Sequence, residues 1–442
     1  MISRAIPAGR FEHWLRQRAL GPAFRLLAPV TCAAAWLWRR LMVRTTFIAV
    51  TGGVGKTTTK ELLAGILATR GPTFRTHLNQ NSPALVAMNL LRVRPWHRYA
   101  VIEVGVASPN TMHRAARLVR PDAAVILNVA KTHSTGFASL DEHAAEKAEL
   151  LRWVRPGGFA VLDVDDPRIR AIADACTLRV VRVGTGADCD YRAQDASSRW
   201  PERLGFTLHH DRRSRPVATQ LVGVHWQGPV LAAIATAHAV GVPLQQAVDA
   251  ALLTPPFPGR MQPVRVPAGA IVLRDDYNGS IDTLEASARV LEDAAGVRRM
   301  LVITDMSDTD MHRRQRLKVL AGLAVRAADA LVLVGENAGY GRRRAIDAGL
   351  PADQVHAFDT LRQAADFLRR ELGPGDLVLL RGRTTDHAAR VFFAQLGDVG
   401  CWKETCAKRL LCDHCWELDV TPAQLRLAVP VPPPPRAARA TG

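Results

Sequence analysis

Short apolar runs alternate along the chain with stretches of helical spacing. Thr46-Phe-Ile-Ala-Val50 is β-branched and aromatic and reads as a buried strand, and Lys60 to Ala68 repeats apolar residues at helical period. Further buried strands are expected at Tyr99–Ile102, Ala123–Leu127 and Phe159–Leu162, ending at Glu103, Asn128 and Asp163. Thr254-Pro-Pro-Phe-Pro-Gly259 breaks the periodicity and predicts a stiff linker. Beyond it, Met300–Ile303, Ala330–Val334 and Asp376–Leu380 read as buried strands, and 313–328 and 360–372 have helical spacing. The alternation predicts an α/β protein with a mostly parallel sheet in a central domain over 44–255 and a second, Rossmann-like α/β domain over 256–398.

Between the first strand and helix stands Thr51-Gly52-Gly53-Val54-Gly55-Lys56-Thr57-Thr58-Thr59. Strand, glycine turn and helix form the setting of a phosphate-binding loop, here in a shorter form with Val50 where the common motif has its first glycine. Backbone N–H groups can close on phosphate oxygens, Lys56 can reach the terminal phosphates, and the Thr57 hydroxyl can hold Mg²⁺ at the helix N-terminus. Ligands gather at the carboxyl ends of parallel strands, so Glu103 and His133 are candidates to share that Mg²⁺. Alone, either would more often be a surface or capping residue.

Residues 1–43 are basic and apolar, with an uncharged run from Leu26 to Trp38 between Arg25 and Arg39-Arg40. The run is too short to span a bilayer, and Pro29 is expected to interrupt it. Two readings stay open: an interfacial helix with Trp36 and Trp38 at headgroup level, or a helix packed on the next domain. A net charge of +17, rich in Arg, could attract nucleic acid, an anionic membrane or an acidic substrate. No basic run is interleaved with aromatics, so nucleic acid is not expected. The region 399–442 departs again. Cys401, Cys406, Cys412 and Cys415 are crowded enough to hold Zn²⁺ or a [4Fe–4S] cluster, which points to a reducing compartment, and they offer a surface for a protein partner. From 428 onward the proline-rich composition predicts a flexible extension.

TGGVGKTTTKELL, VIEVG (101–105), ILNVAKTHSTGFASLDEHAAEKAELL (126–151) and DVDD (163–166) resemble the central ATPase domain of the Mur ligases, most of all the MurF branch. The resemblance continues through GRMQ (259–262), DDYNGSIDTLEASARVL (275–291), LVITDMSD (301–308), LVLVGENAG (331–339) and GDLVLLRGR (375–383). It implies an ATP- and Mg²⁺-dependent ligase that activates a carboxylate as an acyl phosphate and joins it to an amine. It assigns Thr51, Gly52, Gly53, Val54, Gly55, Lys56, Thr57 and Thr58 to the phosphates. Glu103 and His133 go to Mg²⁺, with His133 counted among the catalytic residues beside Lys56. Lys147 matches the lysine that many members carbamylate, giving a carboxylate for a second Mg²⁺. His225, Arg260 and Asp275 are expected at the nucleotide and Tyr277 and Asn278 near the amine substrate; Arg381, where the family commonly has Lys, is a candidate to read a carboxylate of the incoming substrate, with a solvated surface charge as the other reading.

Departures shape the expectation further. Gly53 replaces a Thr or Ser, Asp163 an Asn, and Trp226 and Pro229 the two asparagines of the motif around His225, so adenine is expected to be held differently, for instance by stacking on Trp226. The segment before residue 44 is too short for a UDP-sugar-binding domain, which implies an acceptor without that carrier. The resulting expectation is a cytoplasmic amide ligase acting on small-molecule amine and carboxylate substrates, with peripheral membrane contact left open. The alternative is a degenerate nucleotide-binding module in a membrane-associated complex.

Overall fold

The computed structural model describes residues 20–130, 136–277, 279, 281–304, 312–403, 406 and 411–434. His133 and Asn278 lie outside the described residues. The first sheet is built from β1 (Thr46–Thr51), β2 (Thr73–Arg75), β3 (Tyr99–Glu103), β4 (Ala123–Ile126), β5 (Phe159–Asp163), β6 (Arg179–Gly184), β7 (Tyr191–Ser197), β8 (Gly205–His210) and β9 (Arg213–Ala218). Their order is β2-β3-β1-β4-β5-β6-β7-β8-β9. From β2 to β7 every pairing is parallel, and β7, β8 and β9 close the far edge as an antiparallel meander. Val50 pairs with Glu103 and Thr51 with Ile126. The glycine loop therefore leaves the sheet between the carboxyl ends of β3 and β4.

The second sheet contains β10 (Gln262–Arg265), β11 (Ile271–Asp275), β12 (Arg298–Thr304), β13 (Ala330–Val334), β14 (Val355–Phe358), β15 (Asp376–Arg381) and β16 (Val429–Pro430), in the order β14-β13-β12-β15-β11-β10-β16. Its central strands are parallel and their residues almost continuously buried, the pattern of a sheet covered on both faces. The cores of the two sheets meet. Leu284, Ala288 and Leu291 from the helix Ile281–Glu292 join the cluster that holds Val222, Trp226 and Val230 of the first unit.

The helix Leu20–Leu41 runs through Pro29, so the expected interruption is not found. It packs on the helices Pro83–Arg92 and Thr111–Val119, with Ala35 and Met42 buried among Val86, Ala87 and Leu90. Trp38 donates its indole N–H to the Val93 carbonyl at 2.9 Å. Arg39 donates to the carbonyls of Val119 and Arg120 at 2.6 and 2.7 Å, placing a cation on the carbonyl end of a neighbouring helix. Leu27, Val30, Leu37 and Leu41 point outward. Among the described residues no helix is long and apolar enough to cross a membrane.

The start of the proline-rich tail is not the loose extension expected. β16 pairs antiparallel with β10, Val431 N–H donates to the Pro263 carbonyl at 3.2 Å, and Arg203 of the first unit donates to the Val431 and Pro432 carbonyls. Prolines keep their carbonyl acceptors, and an edge strand tolerates the missing donors. Just before it, Asp413 meets a buried cation. Arg274 on β11 donates to both oxygens of Asp276 at 3.1 and 2.9 Å and to both oxygens of Asp413 at 2.7 and 2.9 Å, with its guanidinium 4.5 Å from the centre of the Phe392 ring.

Removing that cation leaves two carboxylates without their partner, one of them fully buried. Arg274→Ala is expected to destabilise the protein by about 3–5 kcal/mol. Urea unfolding checks it; a midpoint within error of the unsubstituted protein would show that the ion cluster does not hold the tail.

Candidate active site

The helix Lys56–Ala68 begins directly after the glycine loop, and its first N–H groups have no partners within the helix. Gly55 precedes it at φ 85°, a left-handed conformation that glycine adopts without strain, and a Cβ there would lie 2.8 Å from Pro229 Cγ. Gly53, where a hydroxyl residue was expected, faces Ala130 so closely that a Cβ would sit 2.5 Å from the alanine Cβ. Asn128, at the end of β4, accepts from the N–H groups of Gly53 and Val54 at 3.1 and 2.9 Å and donates to the Val54 carbonyl. This asparagine fixes the front of the loop and leaves the helix N-terminus to a ligand. Thr51, the last residue of β1, and Thr58, in the first turn of the helix, are both buried.

Lys56 turns back over the loop and donates to the carbonyls of Gly52 and Gly53, both at 2.9 Å. Lys147, from the helix Leu140–Ala148, reaches the same Gly52 carbonyl at 3.4 Å and stands 3.0 Å from His143 Nε2, whose ring stacks on Phe137. Burial lowers the pKa of both lysines. The Lys147 value falls well below the ordinary range, with Lys56 lowering it further. On the other side, Thr57 donates its hydroxyl to Glu103 Oε2 at 3.0 Å, Asn81 donates to Glu103 Oε1 at 2.9 Å, and Lys60 stands 3.9 Å from the same carboxylate. A hydroxyl and a carboxylate oxygen side by side at a helix N-terminus are hard donors suited to Mg²⁺. Among the described residues no three His, Cys, Asp or Glu side chains are assembled as a metal site, so Thr57 and Glu103 offer only part of a coordination shell.

The second unit closes the site. Tyr277 is buried with its ring 5.1 Å from Phe257 and the Arg260 guanidinium 5.0 Å from its centre. Burial and the nearby Glu103 raise its hydroxyl pKa, so this side chain of the second unit stands within electrostatic reach of the first. Asp275 and Arg381 occupy paired positions on β11 and β15 and form an ion pair, with Ser287 donating to Asp275 and Arg381 also donating to Thr283. Arg381 is fully buried, so it does not present a free guanidinium to a substrate carboxylate as expected. His225, in electrostatic contact with Asp275, Arg381 and Arg260, is pushed down to about 4 by burial and is neutral.

The residue patterns of both units match known families. The description "Mur ligase middle domain" fits residues 50–237, and "Mur ligase, glutamate ligase domain" fits residues 259–384. The chain belongs to the Mur ligase family. It is 32% identical to the UDP-N-acetylmuramoyl-tripeptide–D-alanyl-D-alanine ligase of Escherichia coli over 69% of this chain and 67% of that one. The enzyme of the same name from Synechocystis is 30% identical over 80% and 75% of the two chains. A crystal structure of MurF from Acinetobacter baumannii superposes with a TM-score of 0.76 at 27% identity, covering 83% of this chain and 80% of that one. The protein is thus an ATP-dependent carboxylate–amine ligase of the Mur type.

Within this Mur ligase, Trp226 is not the open stacking platform expected for adenine. It is 6% exposed and packs in the core, its ring 4.5 Å from that of His225. Pro229 lies over the glycine loop. Asp163 packs against the first turn of the helix Gln227–Ala239, and burial together with Asp165 raises its pKa to about 7. Residues that sequence reasoning passed over hold the site in place: Asn128 and Asn81 orient the loop and the carboxylate, and His143 accompanies Lys147. Asn128 was visible as the polar end of a strand, but its two backbone partners depend on strand order.

Asp163 should leave a pH signature. Its folded-state pKa is raised above the unfolded 3.8, so the folded chain binds the extra proton and stability is lost as pH rises from about 4 through 7. Asp163→Asn removes that slope. The variant is expected to gain roughly 2–4 kcal/mol relative to the unsubstituted protein between pH 4 and pH 8, read as the difference in urea unfolding free energies, and parallel pH profiles would contradict the assignment.

Proposed function

We propose that this Mur ligase joins the amine of an amino acid or short peptide to a carboxylate acceptor through an acyl phosphate. The observation that carries the reading is the approach of Lys56 and Lys147 to one carbonyl, that of Gly52, in a buried site where Arg260 adds positive charge and Glu103 is the nearby carboxylate. Lys56 and Arg260, with the Lys147 amine beside them as a further N–H donor, suit a polyanion, whose charge favours the protonated form of Lys56. A carboxylate oxygen of the acceptor attacks the γ-phosphorus of ATP and ADP departs. The amine then attacks the acyl carbon, and phosphate leaves as the amine loses its proton. Lys56 and the helix N–H groups offset charge on the transferring oxygens, while Thr57 and Glu103 hold Mg²⁺.

Lys147 has a second role in this reading. An amine kept neutral by burial is a nucleophile toward CO₂: its nitrogen bonds to the carbon, a proton is released to solvent, and the resulting carbamate would add anionic oxygens to the site. Relatives named for adding D-alanyl-D-alanine point to a dipeptide amine as the first to test.

Full-length protein with ATP, Mg²⁺ and panels of amines and acceptors, with and without a UDP-sugar carrier, should give amine-dependent ADP release and a condensed product by mass. Lys56→Ala is expected to lower the rate by at least ~10³-fold. No product across the panels, or a product insensitive to Lys56→Ala, would overturn the proposal. Removing CO₂ should slow the enzyme and bicarbonate should restore it, whereas Lys147→Arg, which stays charged, should be slow in both. Activity indifferent to CO₂ would rule out the carbamate.

A further inference from the structure

Gly400 and Leu418 are tied to each other by a backbone hydrogen bond, Gly400 N–H donating to the Leu418 carbonyl at 2.8 Å. Cys401, Cys406, Cys412 and Cys415, far from the glycine loop in sequence, all line one pocket, together with His387, Arg390, Glu417 and Leu418. Its free space is little more than that of one water-sized sphere. Cys412 and Cys415 flank a single 3₁₀ turn, with Cys415 N–H donating to the Cys412 carbonyl at 2.9 Å, which brings two sulfurs to one side of the chain.

We propose that these four cysteines bind one Zn²⁺ as a structural tetrathiolate site. As placed, the side chains are not assembled at ligating spacing, so the proposal requires the four thiols to turn inward toward the usual Zn–S distance of about 2.3 Å. Five observations favour it over a set of buried thiols. The four thiols are spread over residues 401–415 yet share one lining. The space suits a single ion better than an iron–sulfur cube. Four thiolates around Zn²⁺ carry a net charge of −2, and Arg390 lines the pocket while Lys403 is in electrostatic contact with Cys401 and Cys406. His387 Nδ1 lies 3.4 Å from Cys412 Sγ, placed to donate a hydrogen bond to a ligand sulfur. Finally, Cys401 and Cys412 are themselves buried beside Leu411 and Leu418, which would shield two ligand sulfurs from solvent.

The site reaches the ligase chemistry through its neighbours. Asp413, inside the Cys412–Cys415 turn, holds Arg274 beside Asp276, and the His414 ring stands 6.2 Å from His77 of the first unit. His387 follows the loop that carries Arg381 and Arg383, where Asp386 accepts from the Thr304 hydroxyl at 2.9 Å. A bound ion would thus fix a wedge between the two units.

The test is metal analysis of the full-length protein, purified without a histidine tag or chelator, under air and anaerobically. About one zinc per chain is expected, and Cys412→Ser/Cys415→Ser should retain at least ~10-fold less. Cobalt exchanged into the unsubstituted protein should show the intense visible bands of tetrahedral Co²⁺ and thiolate-to-metal charge transfer, a readout that does not depend on the variant folding. Absence of zinc, full zinc retention by the double variant, or cobalt bands of six-coordinate oxygen ligation would overturn the proposal. So would iron with acid-labile sulfide after anaerobic purification, which would assign the pocket to a cluster. None of these readouts depends on finding the ligase substrates.

Discussion

Buried positive charge at the glycine loop is the constraint on which the rest of the active site depends. Lys56 and Lys147 are drawn to one carbonyl in a place from which water is largely excluded; burial lowers the affinity of each for a proton, Arg260 lowers that of Lys56 further, and Lys56 lowers that of Lys147. A protein can hold such an arrangement only if the opposing groups are fixed. Glu103 is fixed by Thr57, Asn81 and the backbone N–H that it gives to Thr76, and the loop is fixed by Asn128. Glu103 ends β3, Asn128 follows β4, Thr76 follows β2, Thr57 opens the helix after β1 and Asn81 precedes the helix Pro83–Arg92, so the parallel sheet is what brings the counter-charge within reach.

The second unit shows the same economy on a single strand. Successive side chains of β11 point to opposite faces. Arg274 turns to one face, where Asp276, Asp413 and the Phe392 ring surround it, and Asp275 turns to the other, where Arg381 and Ser287 meet it. One short stretch thereby ties the cysteine-bearing segment to the sheet on one side and the helix Ile281–Glu292 to the site on the other. Arg381 is paired and buried in this scheme, where it holds Asp275 in register.

Much of this was legible from the chain alone. The apolar runs at 46–50, 99–102, 123–127 and 159–162 are the central strands of the first sheet, and the glycine loop with Lys56 and Thr57 announced a phosphate site because its spacing is local. What was not legible depends on pairings between distant residues. Arg381 reads as an available cation until β15 is laid beside β11, and Arg274 carries no signal until Asp413 arrives from 139 positions away. The tail misled for a different reason. Proline content argues against regular structure in general, but an edge strand asks only for acceptors, and Val429–Pro430 supplies them to β10.

The nucleotide's base end follows from the same logic of burial. Where side-chain amides were expected, Trp226 has become core and Pro229 has become the cover of the glycine loop. Apolar groups in these positions rigidify the phosphate side, because a proline ring against Gly55 leaves the loop no room to relax. Neither supplies the side-chain amide expected at its position, and the buried Trp226 indole N–H has no hydrogen-bond partner among the described residues. Hydrogen bonds discriminate among ligands of similar shape far better than apolar contact does. Two positions where the resemblance places side-chain amides are thereby given over to packing, one in the core and one against the glycine loop.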